Sequence, residues 1–157
     1  MKVGFGYDSH RFSAGRTLML GGIEIPCEVG LLGHSDADVL LHAIGDALIG
    51  ALGEGDLGRH FPDSDVSLKD ISSKTLLVTI RGMMEKKGYR INNIDSTIVI
   101  EKPRLAPYIG DMVHSIALLF EISDDAVNVK ATTNEGMGFT GRGEGAAAFA
   151  VVTIESI

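Results

Sequence analysis

Asp8 and His10 stand two residues apart at the end of a run in which Val3, Phe5 and Tyr7 alternate with Gly4 and Gly6. Such alternation predicts a strand over Lys2 to Arg11, and side chains that repeat every two residues put Asp8 and His10 on one face with the two glycines. A carboxylate and an imidazole so placed suit a divalent metal such as zinc, and His42 is the third candidate donor. Three protein ligands leave a fourth position open for a substrate atom, which makes this a catalytic rather than a structural pattern. The reading requires the end of the strand to face the first turns of a helix carrying His42, a convergence that spacing alone does not supply.

Other residues could serve phosphate chemistry. His34-Ser35-Asp36 precedes a helix, where unpaired backbone N–H groups and the positive dipole end favour an anion; N-capping alone is the plainer role for Ser35. Asp38 and Asp46 are candidate carboxylates behind a ligating histidine, although a solvated helix charge suits Asp46 better. Thr132-Thr133-Asn134-Glu135 offers hydroxyls and a carboxylate at a strand exit, suited to a phosphate and a hard cation such as magnesium, or simply to a polar end. Gly136 to Gly141 spells G-x-G-x-x-G, but the sixteen residues that follow look extended and leave no room for a dinucleotide-binding βαβ unit. Arg142 and Gly143 replace the Lys and Ser/Thr of a P-loop, leaving Arg142 as an anion contact or a surface turn residue.

These groups must be positioned by a recognisable set of elements. From Asp36 to Leu52 apolar residues recur at three- and four-residue intervals, predicting an amphipathic helix with Ser35 and Asp38 as an S-x-x-D capping signal. Leu18 to Leu20 and Ile23 to Ile25 predict a small hairpin turning at Gly21-Gly22. Gly53 to Ser67 reads as a surface loop able to cover a site. Further helices are expected over Asp70 to Lys87 and Leu105 to Glu121, and strands over Asn93 to Glu101, Ala126 to Thr132 and Ala146 to Ile154. The order predicts one α+β domain over residues 1–157: a four-stranded mixed sheet of ferredoxin-like or split βαβ type with its helices on one face.

Composition excludes several classes. With 45% hydrophobic and 22% charged residues, the 157-residue chain reads as globular rather than disordered. A net charge of -7 argues against nucleic acid as the main partner, since that needs clustered cations. Cys27 is the only cysteine and is expected to be a small buried residue, so a disulfide framework is excluded. Without a basic-apolar leader or a bilayer-length apolar stretch, a soluble cytoplasmic protein is expected, with no membrane partner.

Taken together, the motifs resemble one family, the 2-C-methyl-D-erythritol 2,4-cyclodiphosphate synthases of the non-mevalonate isoprenoid pathway. The resemblance is carried by Gly6-Tyr7-Asp8-Ser9-His10, Gly33-His34-Ser35-Asp36-Ala37-Asp38, Gly55-Asp56-Leu57-Gly58 and Phe61-Pro62-Asp63-Ser64-Asp65. It continues through Asn128-Val129-Lys130-Ala131-Thr132-Thr133 and Gly138-Phe139-Thr140-Gly141-Arg142-Gly143-Glu144. It implies a lyase that turns 4-diphosphocytidyl-2-C-methyl-D-erythritol 2-phosphate into the cyclodiphosphate and CMP. By the same resemblance Asp8, His10 and His42 bind zinc or another transition metal, and Glu135 holds magnesium or manganese on the substrate diphosphate. His34 and Thr133 would stabilise the transition state. Substrate contacts would fall at Asp8, Ser9, His10, His34, Ser35, Asp56 to Gly58, Phe61 to Asp65, Thr132, Thr133, Asn134, Glu135, Phe139 and Arg142. The cytidine would lie against Ile100, Glu101, Lys102, Pro103, Arg104, Leu105 and Ala106. The resemblance further implies a homotrimer with its sheets around a central channel that can take an isoprenoid diphosphate. Ser9 stands where the family often has Val, and Arg104 and Asn134 where it has Lys and Thr.

Overall fold

The computed structural model describes residues Met1–Ile157. Its first strand, β1 (Lys2–Ala14), outruns the predicted span and leads into the hairpin β2 (Leu18–Leu20) and β3 (Ile23–Ile25), which turns at Gly21-Gly22 as expected. A short β4 (Val29–Leu31) follows, then helix α1 (Val39–Leu52), a single turn α2 (Leu57–His60) and α3 (Ser73–Lys86). The remainder is β5 (Tyr89–Val99), α4 (Ile109–Phe120), β6 (Val127–Thr132), the turn α5 (Gly138–Gly141) and β7 (Gly145–Ser156).

The sheet has five strands rather than four, ordered β4-β1-β7-β5-β6. Its extra member, β4, pairs antiparallel with the end of β1 through Phe12↔Leu31, Ser13↔Gly30 and Ala14↔Val29. Three residues with a central glycine carry no alternation, so nothing in the local pattern marks them as a strand. β7 is antiparallel to both β1 and β5, which makes those two parallel with β7 between them, the split βαβ arrangement. β5 and β6 pair parallel across the α4 connection.

One contiguous apolar core lies between this sheet and the helices. α1 is its axis: every residue except Asp46 and Gly50 is buried, so the helix is enclosed rather than merely amphipathic. It can lie this close because Gly4 and Gly6 face it. A Cβ at Gly4 would fall 1.7 Å from the Ala47 carbonyl oxygen, and one at Gly6 would fall 2.0 Å from that of Ala43. Two strand residues advance about 6.7 Å and four helix residues about 6 Å, so strand and helix keep step in opposite directions. The next step past Gly6 brings Asp8 to the first turn of α1, where His42 Nδ1 lies 3.0 Å from its carboxylate.

The other face of the sheet is different. Val3, Phe5, Tyr7, Phe149 and Val151 are all exposed there, Phe5 by 62%. The registers Phe5↔Val151 and Tyr7↔Phe149 make them neighbours, with the Tyr7 and Phe149 ring centroids 5.0 Å apart. Cys27, expected to be buried, is exposed between β3 and β4. No helix is long and apolar enough to cross a membrane.

Candidate metal centre and active site

Asp8, His10 and His42 converge as the metal reading requires. Asp8 Oδ2 lies 2.8 Å from His10 Nε2 and 3.0 Å from His42 Nδ1, and the two nitrogens are 3.2 Å apart. A tetrahedral ion with bonds near 2.0–2.1 Å holds its donors about 3.3 Å apart, so a small outward relaxation of this triangle accommodates one. The donor set, two imidazoles and a carboxylate, fits a divalent metal. His10 is prepared for it: Nδ1 donates to the Leu32 carbonyl at 2.9 Å, which leaves the Nε2 lone pair facing the other two donors. Burial pushes the Asp8 carboxyl up, but hydrogen bonds and charge from His10 and His42 outweigh it and hold the pKa at about 2. For His10 burial opposes the charged form, yet the Asp8 carboxylate prevails and raises its pKa.

The triad opens into a cavity of about 480 Å³ whose walls include His34, Ser35, Asp46, Leu57, Gly58, Phe61 and Asp63. His34 donates from Nε2 to the Asp65 carbonyl at 2.9 Å, and Asp70 N–H donates to the His34 carbonyl at 2.7 Å. The Phe61–Asp65 stretch is thus fastened to the segment before α1. That segment is shaped by Ala37, held in the left-handed region at φ 57. Arg16 laces it from below, donating from its guanidinium to the carbonyls of Leu31 and Ser35.

Several expected roles are reassigned. Asp38, not Ser35, caps α1 by accepting from the Leu41 N–H at 3.0 Å. Its fully buried carboxylate also accepts from the amides of Gly21 and Gly22, so it clamps the hairpin to the helix instead of standing behind a histidine. Burial, against these hydrogen bonds, pushes its carboxyl up. Asp46 is not a merely solvated charge: it accepts from the Leu57 N–H at 3.0 Å and sets the start of α2. Asp56 caps that turn through the Arg59 N–H, and Asp65 caps a 3₁₀ turn at Val66–Leu68, so the predicted loop carries two helical turns. Arg16 and Ser73 were not among the sequence-derived site residues, and Asp36 was read only as part of the approach to a helix; a polar side chain that bonds backbone or a partner tens of residues away has no periodic signature.

The remaining candidates gather elsewhere. Ile100, Glu101, Pro103, Arg104, Leu105, Ala106, Thr132 and Thr133 line a second cavity of about 580 Å³, at the ends of β5 and β6. Lys102, joined to Pro103 by a cis peptide bond, is exposed beside it. Glu101 accepts from the Asn134 N–H at 2.8 Å, and Thr133 Oγ1 from the Glu135 N–H. Glu135, at φ 52, occupies a left-handed conformation that costs a non-glycine residue about 1 kcal/mol or more. Phe139 lines a third cavity together with Ser9, which points away from the metal face; Arg142 is exposed and paired with Glu144 at 2.8 Å. The register Asp8↔Ala148↔Ile98↔Ala131 puts the metal triad and the Thr132–Thr133 exit three strand spacings apart, about 14 Å. Within one chain His34 and Thr133 therefore do not share a cavity.

Comparison with known proteins supplies the class. The YgbB family model matches residues 1–155. The 2-C-methyl-D-erythritol 2,4-cyclodiphosphate synthase of Syntrophomonas wolfei is 57% identical over 155 residues, covering 99% of each chain. Among solved structures, the bifunctional IspDF of Campylobacter jejuni matches 99% of this chain at a TM-score of 0.96 and 37% identity, while this chain spans 42% of that longer protein. IspF of Plasmodium falciparum, in complex with CDP, matches at a TM-score of 0.87 and 30% identity, covering 99% of this chain and 96% of its own. The Asp8–His10–His42 triad and both cavities lie within the span of that family match, and the chain belongs to the YgbB family, that of the 2-C-methyl-D-erythritol 2,4-cyclodiphosphate synthases.

Proposed function

We propose that the two cavities together bind 4-diphosphocytidyl-2-C-methyl-D-erythritol 2-phosphate and close it into 2-C-methyl-D-erythritol 2,4-cyclodiphosphate. An oxygen of the 2-phosphate attacks the β-phosphorus, the bond from that phosphorus to the α-phosphate oxygen breaks, and CMP leaves. The attacking group is already an anion, so the reaction needs alignment and charge neutralisation rather than a protein nucleophile. The observation that carries this reading is the convergence of Asp8, His10 and His42 at the wall of a cavity that also holds His34 and Ser35.

Asp8, His10 and His42 would hold zinc, which would supply Lewis acidity at the attacked phosphate, and Glu135 would hold magnesium or manganese, which would supply charge neutralisation on the leaving side. His34 is aimed into the first cavity with its ring fixed by the Asp65 carbonyl, and it stabilises the developing charge there. Thr133 does so from the other end of the diphosphate. Asp56 to Gly58 and Phe61 to Asp65 contact the methylerythritol unit, with Ser9, Phe139 and Arg142 at the periphery. The cavity bounded by residues 100–106 and Thr132 takes the cytidine, in keeping with the CDP complex of the Plasmodium relative.

The 14 Å between triad and Thr133 is met by assembly: in a homotrimer each site takes its metal triad from one subunit and its Thr133 end from the neighbour. The exposed cluster of Val3, Phe5, Tyr7, Phe149 and Val151 supports this, because an apolar patch of that kind on a sheet face calls for a covering partner. The sheets then surround a channel able to hold an isoprenoid diphosphate. We place the enzyme in the cytoplasm, where its lone exposed thiol stays reduced.

Phosphorus NMR of the purified protein with the cytidylyl substrate, zinc and magnesium tests the activity: cyclic diphosphate and CMP are expected. Release of inorganic phosphate carrying oxygen-18 from labelled water, without cyclic product, would show a hydrolase instead.

A further inference from the structure

His42 turns Nδ1 toward Asp8 and His10, so its Nε2 points out of the metal centre. There it meets Ser73 Oγ at 2.9 Å and Ser35 Oγ at 3.1 Å. Ser73 is completely buried at the first position of α3, and its hydroxyl donates to Asp36 Oδ1. The second oxygen, Oδ2, accepts from the Ser73 N–H at 3.1 Å. A serine hydroxyl has one proton; once that is given to a carboxylate, the oxygen can only accept from the imidazole. Ser35 has no such carboxylate behind it.

We propose that Asp36 and Ser73 are positioning residues for the metal centre: a chain from His42 Nε2–H to Ser73 Oγ, and from Ser73 O–H to Asp36, selects the tautomer that leaves Nδ1 free to bind the metal. The two histidines are thereby set from opposite nitrogens, His10 by the Leu32 carbonyl on Nδ1 and His42 by Ser73 on Nε2. The same residues join the metal centre to the end of the covering loop, since Asp36 N–H donates to the Ile71 carbonyl two residues before Ser73. The relay thus links the orientation of a ligand to the segment that leads into α3.

This inference rests on the reading of Asp8, His10 and His42 as a zinc site. Its test is the zinc affinity of the chelator-stripped protein, measured by competition with a chromophoric chelator, for the wild type, Ser73→Ala and Ser73→Thr. Removing an outer hydrogen-bond partner of this kind lowers affinity about 10- to 100-fold, and the threonine hydroxyl should restore most of it. Long-range proton–nitrogen NMR of zinc-loaded wild type should show His42 protonated at Nε2 with its metal-shifted nitrogen at Nδ1; this needs no variant and decides the matter if Ser73→Ala does not fold. Equal affinity in wild type and Ser73→Ala, or His42 bound through Nε2, overturns the relay alone. A wild type that takes up no zinc overturns the metal reading and the relay with it.

Discussion

At the candidate metal centre Asp8 and His10 attract protons as well as a metal, and their pKa shifts set the pH at which one replaces the other. Asp8, held at about 2, contributes stability to the metal-free fold above its ordinary value near 3.8 and loses it only as pH falls through 2, so it does not compete in the neutral range. His10 has the opposite sign: its raised pKa means that protonated His10 stabilises the metal-free protein below 6.5 and that this contribution disappears as pH rises through the folded value. Any metal bound through His10 would have to displace that proton. The thermal shift produced by zinc should therefore grow between about pH 5.5 and about pH 8, with proton release on binding visible in buffers of different ionisation enthalpy. A flat shift across that range would mean that His10 is not a ligand. In His42→Ala, loss of one of three ligands should reduce zinc affinity at least about 100-fold and abolish turnover, read by chelator competition and by the NMR assay. Of this site, Asp8 and His10 were legible because period-2 alternation places them on one face. His42 was legible as a third candidate donor on a predicted helix, but its convergence was not, since nothing in its spacing says which way the helix faces, and the Ser73–Asp36 pair, 37 residues apart, left no trace in any local pattern.

The strand and helix that carry the ligands meet through two glycines, and the site inherits its geometry from that close approach. At Gly6 an added methyl would sit 2.0 Å from the Ala43 carbonyl oxygen, against backbone that cannot rotate away. Gly6→Ala should therefore cost about 1–3 kcal/mol in urea unfolding, as overpacking does, and should weaken zinc binding as well because it drives α1 away from Asp8. A variant destabilised to that extent but with unchanged zinc affinity would break the link between helix approach and ligand convergence. Long elements were legible: α1, α3, α4 and the principal strands all have enough turns or alternations to register a period, with boundaries displaced by a few residues where 3₁₀ turns or strand extensions intervene. The fifth strand and α2 were not, because three or four residues span too little of any period. Asp38 shows a different limit: its caps on Leu41 and on the hairpin amides arise only when the β2–β3 turn folds onto the start of α1.

For the whole molecule, the fold leaves the Thr132–Thr133 strand exit about 14 Å from the Asp8–His10–His42 triad and an aromatic cluster on the open face of the sheet. Both features have one explanation if neighbouring subunits complete each other's sites. Phe149→Asp places a charge against Phe5 and Tyr7 at the centre of that cluster, so sedimentation should show a monomer that still binds zinc at its own triad yet has lost turnover. A sharper discrimination comes from pairing two inactive variants. His42→Ala removes the metal half of a site and keeps the Thr133 half; Thr133→Ala does the reverse and should itself lower turnover about 100-fold. If each site draws its halves from different chains, co-expressed subunits mixing at random form some sites from a metal triad of one variant and a threonine of the other. With equal amounts, about one site in four is restored, so a mixed preparation should recover about a quarter of wild-type turnover, while the separately purified variants recover none. If instead one chain supplied both halves, every site in the mixture would carry a defect. Activity would then stay at the level of the single variants however the subunits were combined.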